Sequence, residues 1–176
     1  MKTVLETERL VVREWEPEDA GAAFAMCGDA EVMRYIGDGR PWADEARARA
    51  WIESMCRAYA ERGWSRWAVV EKASGEVVGS CGYGLPYGTD ELDFGYMFGR
   101  AHWGKGYATE AARACLRYGF EELGFEEIPA SVDPRHLASI CILEKLGFEY
   151  RGMRRFGDDD EDSAHYVATK PGGDEA

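Results

Sequence analysis

The sequence carries no excess of positive charge, no long apolar run and no closely paired cysteines, and each absence removes a class of function. Lysine and arginine number 21 against 33 aspartate and glutamate, a formal charge of −12. Non-specific binding to a nucleic-acid backbone rests on a basic face, so no nucleic-acid partner is expected. The longest stretch free of Asp, Glu, Lys and Arg, Val77 to Thr89, is broken by glycines. It falls short of the ~20 apolar residues of a spanning helix, so no membrane partner is expected. The opening residues Met1-Lys2-Thr3-Val4-Leu5-Glu6 meet both signs of charge before any apolar run of signal-peptide length, which points to a cytoplasmic protein. The five cysteines, Cys27, Cys56, Cys81, Cys115 and Cys141, are scattered without a C-x-x-C pair. That spacing argues for reduced, mostly buried thiols and against a disulfide framework or a metal site.

What is present is an ordinary globular composition: 176 residues, 45% hydrophobic and 31% charged. A chain of this length buries roughly 70% of its unfolded surface and needs no disulfide or metal to hold together. No repeat or linker divides it, so residues 1–170 are expected to form a single domain, with 171–176 a disordered tail. The acidic balance suits a cationic or amine partner, or simply a well-solvated surface.

The pattern along the chain reads as mixed α/β (α+β). A half-buried strand is expected over Arg9–Trp15, and a helix from Pro17 to Asp29, since proline suits a first helical turn. A second helix is expected from about Asp44 to Arg62, with Gly63 as its stop. Strands follow over Arg66–Lys72, Glu76–Gly84 and Glu91–Phe98, the first two joined by Ala73-Ser74-Gly75 and the last two by Pro86 to Asp90. Ala108, Ala112, Cys115, Leu116, Phe120 and Leu123 recur every three or four residues, the stripe of a core-facing helix from about Gly106 that Gly124 ends. Then come a strand Glu127–Val132, a helix Leu137–Leu146, and an antiparallel pair Phe148–Arg154 and Ser163–Thr169 around the acidic run Asp158–Asp162.

The chemistry-bearing segment is Trp103-Gly104-Lys105-Gly106-Tyr107-Ala108-Thr109-Glu110-Ala111, between a strand and a helix. Small residues at 104, 106 and 108 leave backbone amides uncovered where the helix begins. Together with the positive end of the helix dipole they make an anion site, to which Lys105 adds charge. Neither G-x-x-x-x-G-K-[ST] nor G-x-G-x-x-G is present, which removes the main support for ATP, GTP or dinucleotide chemistry. Taken alone, a glycine pair opening a helix is equally a tight strand-to-helix turn.

Its companions give the segment more meaning. It resembles the pyrophosphate loop, Q/R-x-x-G-x-G/A, of the GCN5-related N-acetyltransferases (GNAT), and more closely that of the RimJ/RimL-type branch. Thr7-Glu8-Arg9-Leu10-Val11-Val12-Arg13 with Pro17-Glu18-Asp19-Ala20, Val32 to Ile36, Asp93-Phe94-Gly95-Tyr96, Asp133-Pro134, Ala138-Ser139 and Leu143 to Phe148 match in order. Two positions depart from the pattern. Trp103 stands at the Gln/Arg position, so the cofactor contact there falls to backbone. His136 stands where the branch has asparagine; it replaces that residue's role toward the cofactor, or is an ordinary helix-entry histidine.

The resemblance implies a GNAT fold: a mixed, mostly antiparallel central sheet splayed between strands 4 and 5, flanked by about four helices. Acetyl-CoA is implied as co-substrate, without a metal, lying in the splay. A backbone N–H near Met97 or Phe98 would polarise the thioester carbonyl. The diphosphate would rest on Gly104, Lys105, Gly106, Tyr107, Ala108 and Thr109, with Trp103, His136 and Ser139 nearby. Acetyl transfer to an amine acceptor, either a protein N-terminus or a small molecule, is implied; a non-catalytic acyl-CoA sensor is the rival reading. Asp93 and Glu91 are candidate bases. Ser139, Tyr150 and Tyr166 are candidate acids for the thiolate, although strand tyrosines are more often core. Asp158–Asp162 could draw cationic acceptors, and Trp42, Trp51 and Trp64 could wall the acceptor pocket, although core packing explains them as well. Relatives include both monomers and homodimers.

Overall fold

Two antiparallel sheets meet edge to edge in the computed structural model, which describes residues 2–85, 89–155 and 162–172. The first contains β1 (Thr3–Glu6), β2 (Leu10–Arg13), β3 (Arg66–Glu71), β4 (Val77–Gly84) and β5 (Asp93–Phe98), hydrogen-bonded in that order. The second contains β6 (Glu127–Val132), β7 (Glu149–Arg154) and β8 (Ser163–Thr169), with β8 in the middle. Among the described residues five α-helices flank them: α1 (Ala20–Cys27), α2 (Ala30–Met33), α3 (Glu45–Arg62), α4 (Tyr107–Glu121) and α5 (Leu137–Lys145).

The implied sheet is thus divided, and among the described residues every strand pairing is antiparallel. The division falls where it was expected, between the strand ending at Phe98 and the one containing Ile128; these are β5 and β6, not the fourth and fifth strands, only because Thr3–Glu6 adds a strand before the one expected at Arg9. Four residues are too few to display an alternation, and β1 is fixed from outside by its pairing to β2. The helix expected from Pro17 to Asp29 differs at both ends, opening as a tighter turn and stopping two residues early. Pro17–Asp19 is a 3-10 turn, and α1 stops at Gly28, where a Cβ would lie 2.8 Å from the Phe24 carbonyl. The Trp42 N–H donates to the Cys27 carbonyl at 2.9 Å, and Asp29 caps α2, so the chain turns there.

The core lies between the first sheet and the helices. α4 buries Ala111, Ala112, Cys115, Leu116 and Phe120 against it, as its stripe requires. Gly119 lets the helix approach closely. Tyr83 from β4 passes beneath it and donates to the Cys115 carbonyl at 2.6 Å, and a Cβ on Gly119 would sit 2.8 Å from Tyr83 Cζ. Trp42, Trp51 and Trp64 each pack against other rings: Trp51 meets Trp15 at 5.2 Å and Trp42 at 5.7 Å between ring centroids, and Trp64 stands edge-on to Tyr83 and Phe125. All five cysteines are free thiols; Cys27, Cys81 and Cys115 are buried, Cys56 is half-buried and Cys141 is exposed. Burial pushes the Cys27 thiol up to about 12. No helix is long and apolar enough to cross a membrane among the described residues.

Candidate active site

β5 ends at Phe98, and the chain passes through a 3-10 turn, Arg100–His102, into the glycine loop. The Trp103 indole N–H donates back to the Phe98 carbonyl at 2.8 Å, which fastens the loop to the strand end while leaving the ring half exposed. Gly104 and Gly106 both take left-handed backbone, φ +74° and +79°, where an L side chain is strained. Gly106 is the N-cap of α4 and offers no side chain to the helix end. The N–H groups of Tyr107, Ala108 and Thr109 have no acceptor one turn back in a helix. Gly104, Lys105 and Gly106 are exposed, and the space where a Gly104 Cβ would point is open. This is a cradle of main-chain donors at a positive helix end, and it fits a diphosphate. Lys105 lies at its rim, with Nζ 5.8 Å from the Tyr107 ring centroid, while the buried Tyr107 hydroxyl points away to the Glu71 carboxylate.

β5 itself has two unlike edges. The Gly99 N–H donates to the Val78 carbonyl of β4 at 3.0 Å. With a two-residue period, Met97 then faces β4 as well, while Phe98 and Tyr96 turn their N–H groups toward the gap before β6. Of the two expected carbonyl-polarising donors, Phe98 is the one on the open side.

Side chains cross that gap at several places. Tyr96 reaches α5, its hydroxyl 3.0 Å from both the Ser139 carbonyl and the Ser139 hydroxyl. Burial raises the Tyr96 phenol well above its ordinary value, with the bond to Ser139 pulling the other way, so it holds its proton at neutral pH. Asp93 is buried at the start of β5. Its Oδ1 accepts from the Ser131 N–H at 2.9 Å and hydroxyl at 2.7 Å, and its Oδ2 pairs with Arg66 at 3.1 Å. Burial pushes this carboxyl up, and Arg66 and Ser131 pull it down. Gly95 makes room for the guanidinium, since a Cβ there would lie 2.8 Å from Arg66 Nη2. The residue is therefore a strap between β5 and β6 with both oxygens engaged.

Glu91 is exposed and pairs with Arg154 at 2.5 Å. Tyr150 is exposed on β7, its ring 5.4 Å from that of the buried Tyr166 on β8. His136 is the N-cap residue of α5, without a side-chain capping bond, and stacks on Tyr35 at 4.8 Å between centroids. Burial lowers its pKa and Asp133 opposes that. Of the acidic run, Asp158 to Glu161 lie outside the described residues, and Asp162 pairs with Arg155. No group of His, Cys, Asp and Glu fit for a metal is found among the described residues.

The structure thus brings Phe98, the glycine loop and Ser139 together around the gap and leaves Glu91 and Tyr150 at its periphery. Tyr96, Ser131 and Arg66 are the residues that sequence reasoning missed. Tyr96 lies within a recognised motif, but its partner is 43 positions away, and nothing local announces that pairing.

Comparison with known proteins agrees with this geometry. Residues 9–149 match the family described as the acetyltransferase (GNAT) domain. The Bacillus subtilis protein YkkB is 39% identical over 153 residues, covering 85% of this chain and 87% of that protein. The Bacillus licheniformis N-acetyltransferase p20 is 36% identical, covering 86% and 85%. An Aspergillus fumigatus FsC-acetyl coenzyme A-N(2)-transacetylase is 30% identical over 83% of this chain and 65% of its own length. Among solved structures, a GNAT-family acetyltransferase from Bacillus anthracis superposes with TM-score 0.78 at 27% identity, covering 94% and 97%. RimL, a ribosomal L7/L12 alpha-N-protein acetyltransferase in complex with coenzyme A, has TM-score 0.75 at 11% identity over 96% and 98%, a likeness of fold alone. GNAT acetyltransferases use acetyl-CoA, and this chain, with its bare-amide loop beside a divided sheet, belongs to the GNAT family of N-acetyltransferases.

Proposed function

We propose that the protein acetylates a weakly basic primary amine, in the manner of the RimJ/RimL-type branch, with a protein N-terminal α-amine as acceptor. The observation that carries the reading is the Phe98 N–H and the Tyr96–Ser139 pair on the open edge of β5, one short turn from the amide cradle at Gly104–Thr109. Acetyl-CoA, when bound, supplies the acetyl group as a thioester. The cradle amides and Lys105 hold its diphosphate, and the Phe98 N–H orients and polarises the acyl oxygen. As the amine nitrogen bonds to the acyl carbon and the C–S bond breaks, Tyr96, kept protonated by its burial, gives its proton to the departing sulfur beside the Ser139 hydroxyl, and the proton shed by the new amide nitrogen restores the phenol.

The preference for a weakly basic amine comes from the carboxylates. Asp93 has both oxygens engaged by Arg66 and Ser131, and Glu91 is paired with Arg154, so both carboxylates are committed to partners other than the acceptor amine. Deprotonating a lysine amine of pKa ~10.4 at neutral pH costs roughly 3.5 kcal/mol more than an α-amine of ~7.7–8.0. The likeness to RimL supports the fold of such an enzyme, whereas the A. fumigatus relative, an FsC-acetyl coenzyme A-N(2)-transacetylase, is not named for a protein N-terminus, and acetylation of a small-molecule amine is the second reading.

A panel of peptides with free or blocked α-amines and lysines, set beside small polyamines and amino sugars, separates these readings when thiol release and product mass are followed with acetyl-CoA. Acetylation of the free α-amine alone is expected. Modification confined to small amines would move the assignment to the second reading, and CoA binding without thiol release across the panel would overturn both in favour of a sensor.

A further inference from the structure

The β1–β2 turn reaches under the glycine loop. Arg9 donates through Nη1 to the Lys105 carbonyl at 2.8 Å and through Nε to Glu110 Oε2 at 2.7 Å, and its guanidinium lies 4.6 Å from the centre of the Tyr107 ring. Glu110 Oε1 accepts from the Arg9 main-chain N–H at 3.0 Å and from the Thr7 hydroxyl at 2.6 Å. Thr7 and Arg9 are thereby locked to the first turn of α4, and one loop carbonyl is locked to Arg9.

Two consequences follow from elementary geometry and charge. In a trans peptide the C=O and the following N–H point in opposite directions. Drawing the Lys105 carbonyl toward Arg9 therefore turns the Gly106 N–H away from it, into the cradle. Glu110 also places a carboxylate in the first turn of the helix whose positive end is meant for an anion. That charge favours the helix but repels a phosphate. The Arg9 guanidinium, 2.7 Å from it, cancels the repulsion and leaves Lys105 and the amides to act on the ligand.

We propose that Arg9 and Glu110 are positioning residues for the diphosphate: the pair sets the peptide orientation of the glycine loop and neutralises the helix's own carboxylate. The proposal rests on the assignment of this loop to the CoA diphosphate. The test is calorimetric binding of CoA to Arg9→Ala, Arg9→Lys and Arg9→Ala/Glu110→Gln, beside steady-state turnover with acetyl-CoA and with S-acetylpantetheine, which lacks the diphosphate. Arg9→Ala should weaken CoA binding about tenfold, about what the loss of one charge-assisted hydrogen bond costs. The same factor should appear in KM for acetyl-CoA rather than in kcat, and the ratio of kcat/KM for acetyl-CoA to that for S-acetylpantetheine should fall with it. Adding Glu110→Gln should recover part of the loss by removing the stranded carboxylate. Arg9→Lys, which keeps the charge but cannot bind the carbonyl and the carboxylate together, should fall between wild type and Arg9→Ala and serves in its place if that variant does not fold. An equal loss with both acetyl donors, or wild-type CoA affinity in a folded Arg9 variant, would overturn the clamp alone. Failure of the wild-type protein to bind CoA would instead overturn the functional reading beneath it.

Discussion

Gly106 and Tyr96 divide the work of the site between a residue that must have no side chain and one whose side chain is the point. At Gly106 the backbone is left-handed, φ +79°, and the nearest atom to a Cβ is Arg9 Nη2 at 3.4 Å. Gly106→Val would be strained by about 1–2 kcal/mol on backbone grounds alone and would cover the amides. It should abolish CoA binding in calorimetry; retained tight binding would remove the loop from the cofactor site. Tyr96→Phe keeps the ring and deletes the proton. Loss of a general acid typically costs about 10²–10⁴-fold, so kcat should drop steeply with KM for acetyl-CoA little changed, while the shape of the pH–rate profile stays as it is because burial keeps the Tyr96 phenol protonated across the working range. A kcat close to wild type would hand the acid role to another group. The glycines are legible in the amino-acid order because they act through their own backbone. The role of Tyr96 is not, because a hydroxyl's partner is chosen by the tertiary fold.

At the scale of elements, the strands and helices expected from periodicity largely stand where the pattern placed them, since burial of one face is a local signal. The misses have local causes too. β1 is too short to show its alternation, and the N-terminal helix breaks where the Trp42 N–H takes the Cys27 carbonyl. The relation of β5 to β6 is accessible in the sequence only through family resemblance, because Asp93 and Ser131 stand 38 positions apart. Asp93→Asn tests what that carboxylate does. Removing the charge leaves the Arg66 guanidinium, about a third exposed, without its ion pair; a fully buried pair would lose about 3–5 kcal/mol and this one should lose less. A lower Tm with the acidic limb of the pH–rate profile intact is expected. Loss of that limb with an unchanged Tm would make Asp93 the base after all. A second fixed point lies at the entry to α1, where Arg13 and Asp19 form a nearly buried two-bond pair at 2.6 and 2.8 Å. Asp19→Ala should destabilise the fold by about 3 kcal/mol, read from denaturant unfolding, without altering the KM of acetyl-CoA.

The whole molecule has its own acid response. Burial lowers the pKa of both His136 and His165, so the folded state resists protons that the unfolded chain accepts. Stability linked to them is fully present above the unfolded value of ~6.5 and is lost as the pH falls through the lower folded values. Glu71, Glu110 and Asp133, whose pKa values are also lowered, act in the same sense but only near the carboxylate range. Asp93, raised by burial, acts in the opposite sense. Tm should therefore decline between about pH 7 and pH 5.5, before the carboxylates titrate, and the decline should be shallower in His136→Gln. An identical decline in that variant would place the effect elsewhere. Net charge, read directly from composition, says nothing of this response, which depends on which histidines are covered.

The contacts described across the gap each enlist a side chain: Asp93 of β5 on Ser131 of β6, Tyr96 of β5 on Ser139 of α5, and Tyr35 on His136 at the start of α5. A main-chain ladder is nearly indifferent to which residues it joins, so a seam of that kind would resist mutation. This one is spelled out in amino-acid identities. Single substitutions can therefore re-gauge the opening without dismantling either half, giving the scaffold an inexpensive route to new acceptors while the phosphate grip stays as it is.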